Sequence, residues 1–213
     1  MSSETHSHYH HGDLAETLME AALRHIAAEG TESLSLRALA REAGVSATAP
    51  YRHFPSKQCL FAALATRGFR ELERATRAGM RPEMTLEERF RAMGRAYVDY
   101  AVNNPTSYNL MFGSMLADFS DYPELERAGA DCYSVVLEVL EELIEAREMD
   151  MTAVQLGGVI WAGVHGLASL LINKTAVTDA DENQSSLYRR SLAYVARNPD
   201  KALEILFEHL LEP

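Results

Sequence analysis

Cysteine is scarce in the 213-residue chain: Cys59 and Cys132 are the two present, far apart and outside any metal-ligand spacing. No secretory signal pattern precedes them, so free buried thiols in a reducing cytoplasm are expected rather than a disulfide. Strand signals are missing as well. The sequence has no sustained two-residue alternation and no Asn-Gly or Asp-Gly turn, which excludes a hairpin-built fold. Long apolar runs are reduced to one, Met151 to Asn173, which carries no formal charge over 23 residues and is long enough to span a bilayer. It contains Thr152, Gln155, His165, Ser169 and four glycines, and Glu148 and Asp150 stand where a basic flank is needed. A helix buried on most sides, in a cytoplasmic protein, is the expectation.

Positive charge is also short, and unevenly placed. The formal net charge is −11, yet residues 1–79 hold nine basic and nine acidic residues, so the excess lies entirely in residues 80–213. Within 33–57, Arg37, Arg41, Arg52 and Lys57 face Glu42 alone, a local charge of +3. An acidic body repels a polyanion, but this short segment does not. The asymmetry predicts two functional halves.

What is present is helical spacing throughout, which predicts an all-α fold. Asp13 and Glu16 read as a capping-box variant opening a first helix, with Leu14, Leu18, Ala22 and Ile26 on one face and Gly30 at its end. Ser35 is expected to cap a second helix, Leu36 to Ala43, ended by Gly44. Ser46 is expected to cap a third, Ala47 to His53, broken by Pro55, and Ser56 a fourth reaching about Gly79. Further helices are predicted over 85–103, 105–117, 123–148, 152–173, 186–197 and 199–211, with Pro105, Pro123 and Pro199 each in a first turn. Residues 174–185 read as a polar loop.

The second helix, the turn Gly44-Val45-Ser46 and the third helix match a helix-turn-helix in length, caps and turn glycine. The N-terminal end of the second helix of such a unit enters the DNA major groove. Ala47, Thr48 and Ala49 are small enough for close approach, with a hydroxyl for a base edge and methyls for thymine. Lys57 opens the fourth helix and Arg37 lies at the start of the second, where the helix dipole disfavours a cation. A phosphate completing each site accounts for both placements. Tyr51 and His53 can donate to neighbouring phosphates, while Leu39, Val45 and Phe54 read as core.

The run "YHHGDLAETLMEAALRHIAAEG…SLRALAREAGVSATAPYRHFPSKQCLFAAL" closely resembles the N-terminal domain of TetR-family (tetracycline-repressor-like) transcriptional regulators, most specifically over residues 9–65. The later "NPTSYNLMF" and "WAGVHGL" resemble one ligand-domain subfamily. The resemblance implies an all-helical homodimer with a three-helix head that binds double-stranded operator DNA. A long fourth helix would join it to a C-terminal body that dimerises and binds a small-molecule effector. It places Arg37, Ala47, Thr48, Tyr51, His53 and Lys57 at the DNA, and Ser46 is counted with them. Residues 11–71 are the expected DNA-binding domain and 80–213 the expected ligand and dimerisation domain.

His6, His8, His10 and His11 admit three readings: an idle tail, an arm on the DNA backbone, or a metal site. No metal or cofactor is expected. Met93, Tyr97, Tyr100, Tyr108, Met111, Phe112, Met115, Trp161 and His165 are either large core residues or the walls of an apolar effector pocket, and the sequence leaves both open. For the pocket, Met93, Tyr97, Tyr100, Tyr108, Phe112, Trp161 and His165 are the candidates. Gly158, Ala162 and Gly166 recur every four residues and suit a closely packed second helix, which the resemblance assigns to a dimer partner. The expected function is a non-enzymatic DNA-binding regulator, a repressor released by an apolar effector. The rivals are an all-α enzyme using His165 with a carboxylate, and a helical adaptor that does not bind DNA.

Overall fold

The computed structural model describes residues 11–113, 119–172 and 187–211. Every regular element among them is helical, as expected. The chain forms two compact units, one from residues up to 66 together with 106–125, the other from 67–105 together with 126 onward.

In the first unit, helix α1 (His11–Glu29) is followed by α2 (Leu36–Glu42), a four-residue 3-10 helix (Ala49–Arg52) and the start of α3 (Lys57–Gly79). Helix α5 (Pro105–Phe112) and a 3-10 turn (Phe119–Asp121) complete it. Because α1 begins at His11, Asp13 lies in its first turn and does not precede it as an N-cap. Leu18 and Ala22 are fully buried on one face of α1, and Gly30 stops the helix at φ +80°, its N–H bonded to the Ile26 carbonyl at 2.9 Å. Leu36, Leu39, Ala40, Phe54, Leu60 and Phe61 are buried as well, with α2 and the 3-10 helix packed against α1. Burying each large side chain contributes about 1.5–3 kcal/mol. Arg24 and Glu42, 3.0 Å apart, tie α1 to α2 at the surface.

The second unit contains the rest of α3 with α4 (Leu86–Asn103), α6 (Pro123–Ala146), α7 (Ala153–Ile172), α8 (Leu187–Arg197) and α9 (Pro199–Leu211). Its core joins Phe90 and Met93 of α4, Leu140 and Leu143 of α6, Leu156, Ile160 and Val164 of α7, and Phe207 of α9. Two glycines permit close approach. A Cβ on Gly94 would lie 2.7 Å from the Phe207 ring, and one on Gly157 would lie 2.6 Å from the Tyr133 hydroxyl.

Helix ends follow local chemistry. Helices α5, α6 and α9 each begin on the expected proline. Thr152 and Gln155 form a reciprocal cap, with both backbone N–H groups bonded to the opposite side chain, so α7 starts at Ala153. Helix α6 ends at Ala146, short of the expected 148. Glu148 takes φ +51° and the Met149 N–H bonds back to the Ile144 carbonyl at 3.1 Å. Helix α5 stops at Phe112, short of the expected 117. Met115, the polar stretch 174–185, His6, His8, His10 and the Asp13 side chain lie outside the described residues.

One expectation about α7 is corrected. The helix is long and apolar enough to cross a membrane, but only 39% of that window is buried, along a single side rather than most sides. Val154, Val159, Trp161 and Leu170 are exposed, and nothing lies within 4 Å of a Cβ on Gly158 or Gly166. The glycines expected to sit in a close contact therefore lie on an open apolar face of the chain.

Candidate functional site

The helix-turn-helix is built by backbone satisfaction. Ser35 caps α2, its hydroxyl accepting from the Ala38 N–H at 3.2 Å. At the other end Gly44 takes φ +68°, its N–H reaching the Arg41 carbonyl and the Val45 N–H the Ala40 carbonyl at 2.9 Å. Those two bonds make a Schellman stop, which needs a residue tolerant of the left-handed region.

The third helix differs from expectation. Instead of an α-helix over 47–53, the chain makes a 3-10 helix over Ala49–Arg52, and Ser46 does not cap it. Pro50 explains the change. An α-helical pattern would need a Pro50 N–H to donate to the Ser46 carbonyl, and proline has none. The Ala49 N–H bonds that carbonyl instead, at 3.0 Å and three residues back. The Ser46 hydroxyl is left to pair with the Thr48 hydroxyl at 3.3 Å.

Three residues per turn sort the short helix into three faces. Pro50 is buried and His53, three residues on, is half-buried, its ring 6.4 Å from Phe54. Thr48 and Tyr51 share a second face, both exposed, Tyr51 by 44%. Ala49 and Arg52 share the third, and Arg52 is exposed. Ser46 and Ala47 are exposed in the turn before it.

Charge in this unit is left open. Arg37, in the first turn of α2, is exposed, and among the described residues its guanidinium has no carboxylate or hydrogen-bond partner. The same holds for Arg41 in the last turn of α2 and for Arg52. The sequence pattern places Arg37 at DNA but does not single out Arg41 and Arg52. Their signal is the local +3, but which cations lack a partner depends on tertiary placement. Lys57 opens α3 as expected, with the Cys59 N–H bonded to the capping Ser56 hydroxyl at 3.1 Å. Its ammonium donates to the Glu32 carbonyl at 3.2 Å and lies 5.6 Å from the Phe61 ring centre. Lys57 is thus positioned at the helix start by two contacts that do not neutralise its charge.

The candidate effector residues divide between the units. Tyr108 and Phe112 belong to the first, their rings 4.9 Å apart and tilted at 57° to each other. In the second, Tyr97 of α4 meets α7: the Trp161 indole N–H donates to its hydroxyl at 3.2 Å, and that hydroxyl lies 3.3 Å from His165 Nδ1. The two rings on α7 are 5.3 Å apart. Burial lowers the His165 pKa below its ordinary value, which favours a neutral imidazole beside the Tyr97 hydroxyl. Tyr100 is buried but turns elsewhere, its hydroxyl donating to Glu71 of α3 at 3.3 Å, and Met93 lies in the core. Tyr97, Trp161 and His165 are therefore one hydrogen-bonded cluster. Among the described residues no three His, Cys, Asp or Glu groups are gathered for a metal ion. The Cys132 thiol is pushed up to about 12, chiefly by burial, and stays protonated.

Comparison with known proteins agrees with this geometry. Residues 18–64 match the family of bacterial regulatory proteins of the tetR family, and residues 90–195 match a tetracyclin repressor-like C-terminal domain. A Rhodococcus sp. RHA1 protein of unknown function is similar over 94% of this chain and 97% of its own, with 26% identity and a TM-score of 0.71. A tetR-family regulatory protein from Rhodococcus RHA1 covers 91% of this chain and 96% of its own, at 19% identity and a TM-score of 0.62. The fatty acid degradation regulator FadR from Bacillus halodurans shares the fold at 13% identity, covering 90% and 93%, with a TM-score of 0.67. No curated protein matches the chain. The family is one of regulators rather than enzymes, and the N-terminal match falls inside the first compact unit, on the helix-turn-helix. With that exposed element carrying open cations, the chain belongs to the TetR family and is a DNA-binding transcriptional regulator.

Proposed function

We propose that the protein is a cytoplasmic homodimeric repressor, released from its operator when an apolar small molecule binds the body. Residues 11–71 form the DNA-binding domain of this scheme and 80–213 the ligand and dimerisation domain. The observation that carries the DNA side is the set of exposed, unpartnered guanidinium groups on and beside the helix-turn-helix. Such groups gain most from a polyanion because they give up no internal ion pair to bind it. In this reading Arg37 and Lys57 take phosphates, Ser46, Ala47 and Thr48 approach the bases, and Tyr51 and the exposed edge of His53 donate to the backbone.

The open apolar face of α7 supports a second copy as partner. Val159 is 73% exposed and Trp161 41%, with Gly158 and Ala162 beside them in the helix, and Ile205 of α9 is exposed as well. A face this apolar is disfavoured in water and suits a self-complementary two-fold contact. Two heads per dimer would then meet half-sites about 34–36 Å apart.

For the effector, Met93, Tyr97, Trp161 and His165 offer apolar walls with a small hydrogen-bonding cluster, the composition of a ligand site. Ligand and DNA would oppose each other by a coupling that is reciprocal, with α3, continuous from Lys57 to Gly79, as its carrier. A gel shift with duplexes from the region flanking its own gene tests the reading. A sequence-specific shift, with one dimer per site, is expected. Binding no tighter than to unrelated duplex would contradict it.

A further inference from the structure

We infer that Arg52 reads a guanine edge in the major groove and supplies base discrimination that the rest of the recognition segment lacks. The inference rests on the DNA-binding reading and adds a residue and a base to it. From Gly44 to Tyr51 the segment is Gly-Val-Ser-Ala-Thr-Ala-Pro-Tyr, with no guanidinium, ammonium or amide side chain. Methyl groups on Ala47 and Ala49 can touch thymine, but bidentate reading of a base pair needs an Arg, Lys, Asn or Gln side chain. The hydroxyls of Ser46 and Thr48 already face each other at 3.3 Å. A segment ending at Tyr51 would leave G·C pairs almost unread.

Arg52 is the next residue, and the geometry delivers it. The 3-10 helix holds four residues, Ala49–Arg52. At about 2 Å per residue, its last member lies about 6 Å along the axis from its first, well inside a groove about 12 Å wide. Pro50 is buried and Ala49 and His53 are half-buried, while Arg52 is exposed. Ala49 adds only a methyl beside Arg52, so the guanidinium has room to extend over it. Among the described residues no carboxylate or carbonyl holds that guanidinium back.

The other cations are placed differently. Arg37 and Arg41 stand on α2, the helix that crosses the backbone in such a unit, and Lys57 opens α3 on its tether to Glu32. Those three suit phosphates. Arg52 is the guanidinium on the element that enters the groove, and its planar fork matches the O6 and N7 acceptors of guanine.

The test is selection of full-length protein on a randomised duplex pool, repeated with Arg52→Ala and Arg52→Lys. Wild-type half-sites should carry one G·C pair whose exchange for A·T weakens binding by about 5- to 150-fold. Arg52→Ala should lose that preference alone and keep every other enriched position, with an unchanged melting temperature. Arg52→Lys, which keeps the charge but not the fork, should discriminate less than wild type. Uniform weakening on all duplexes by Arg52→Ala, with the salt slope smaller by about one, would make Arg52 a phosphate contact and overturn the inference. No change on any duplex would overturn it too, by removing Arg52 from the interface. Should wild type enrich no sequence, the DNA-binding reading itself falls, and the inference with it.

Discussion

Among the described residues, Arg37, Arg41 and Arg52 of the first unit stand exposed without a carboxylate, whereas in the second Arg77, Arg89 and Arg147 each meet a glutamate from another helix. Arg77 grips both Glu138 oxygens at 3.2 and 3.3 Å and also reaches Glu73 at 3.0 Å. Arg89 forks onto Glu142, with one bond at 2.9 Å and its second nitrogen against the other oxygen. Arg147 bonds Glu87 at 3.1 Å. The pKa directions follow the pairing: Arg89 holds the Glu142 carboxyl below its usual range, and Glu138 and Glu73 raise Arg77. The same residue type thus staples helices throughout the second unit, whereas in the first, among the described residues, only the surface pair Arg24–Glu42 does so and Arg37, Arg41 and Arg52 stay available. Net charge of the whole chain, −11, hides this division.

The largest effect that would break the comparison lies on the open face of α7 in the body. Val159→Lys should put an unpaired charge into the proposed two-fold contact at a cost of about 2–5 kcal/mol. Sedimentation should show a shift to monomer, and operator binding should fall with it because one head meets only one half-site. A dimer of undiminished affinity would place the contact elsewhere. Val159 is exposed in the chain, so folding should be unaffected.

Next in size is the head's tethered cation. Lys57→Ala should weaken binding to all duplexes alike and reduce the salt slope by about 0.9 per head. Because Lys57 also holds the Glu32 carbonyl and lies over Phe61, the head should lose about 0.5–1 kcal/mol of stability. An unchanged salt slope would leave Lys57 a structural residue.

A smaller effect sharpens the contrast. Arg89→Ala should lower stability by about 0.5–1 kcal/mol, as its pair is half-exposed, and leave DNA affinity unchanged. Denaturant melts and a binding titration on the same sample decide it. A large drop in DNA affinity would show that paired and open arginines are not functionally distinct.

Smallest is a pH effect in the Tyr97, Trp161, His165 cluster. The His165 pKa is lowered by burial, so between about pH 6.5 and its folded value the unfolded state binds more protons. Stability should therefore fall slightly as pH drops through that window and be retained above it. Protonation 5.3 Å from Trp161, the only tryptophan, should change its emission with a midpoint below 6.5, and His165→Gln should abolish the change. Emission independent of pH would separate the two rings electronically. An apolar effector bound at this cluster should shift the same emission.

Much of the fold is legible in the sequence, because capping and proline chemistry are local. Ser35, Gly44, Ser56, Pro105, Pro123 and Pro199 act within a few residues of themselves, and the helices begin or end at them as expected. The recognition element is less legible, because Ser46 followed by small residues looks like a capped α-helix. The missing Pro50 N–H removes the bond such a helix would need. The open space beside Gly158 and Gly166, the bond from Tyr100 to Glu71, and the open state of Arg41 and Arg52 depend on which helix lies opposite. No local pattern encodes that. The same limit applies to Trp161, whose partner Tyr97 on α4 lies 64 positions away in the chain.

The central claim, that the head's unpartnered arginines form the DNA interface, is tested most directly by the salt dependence of binding. Log K against log salt concentration is to be compared for wild type and the Arg37→Ala, Arg41→Ala double variant. Removing one phosphate-bound cation should lower the slope by about 0.9, so a drop of about two per head is predicted at unchanged melting temperature. Parallel lines for the two proteins, at equal folding, would contradict it.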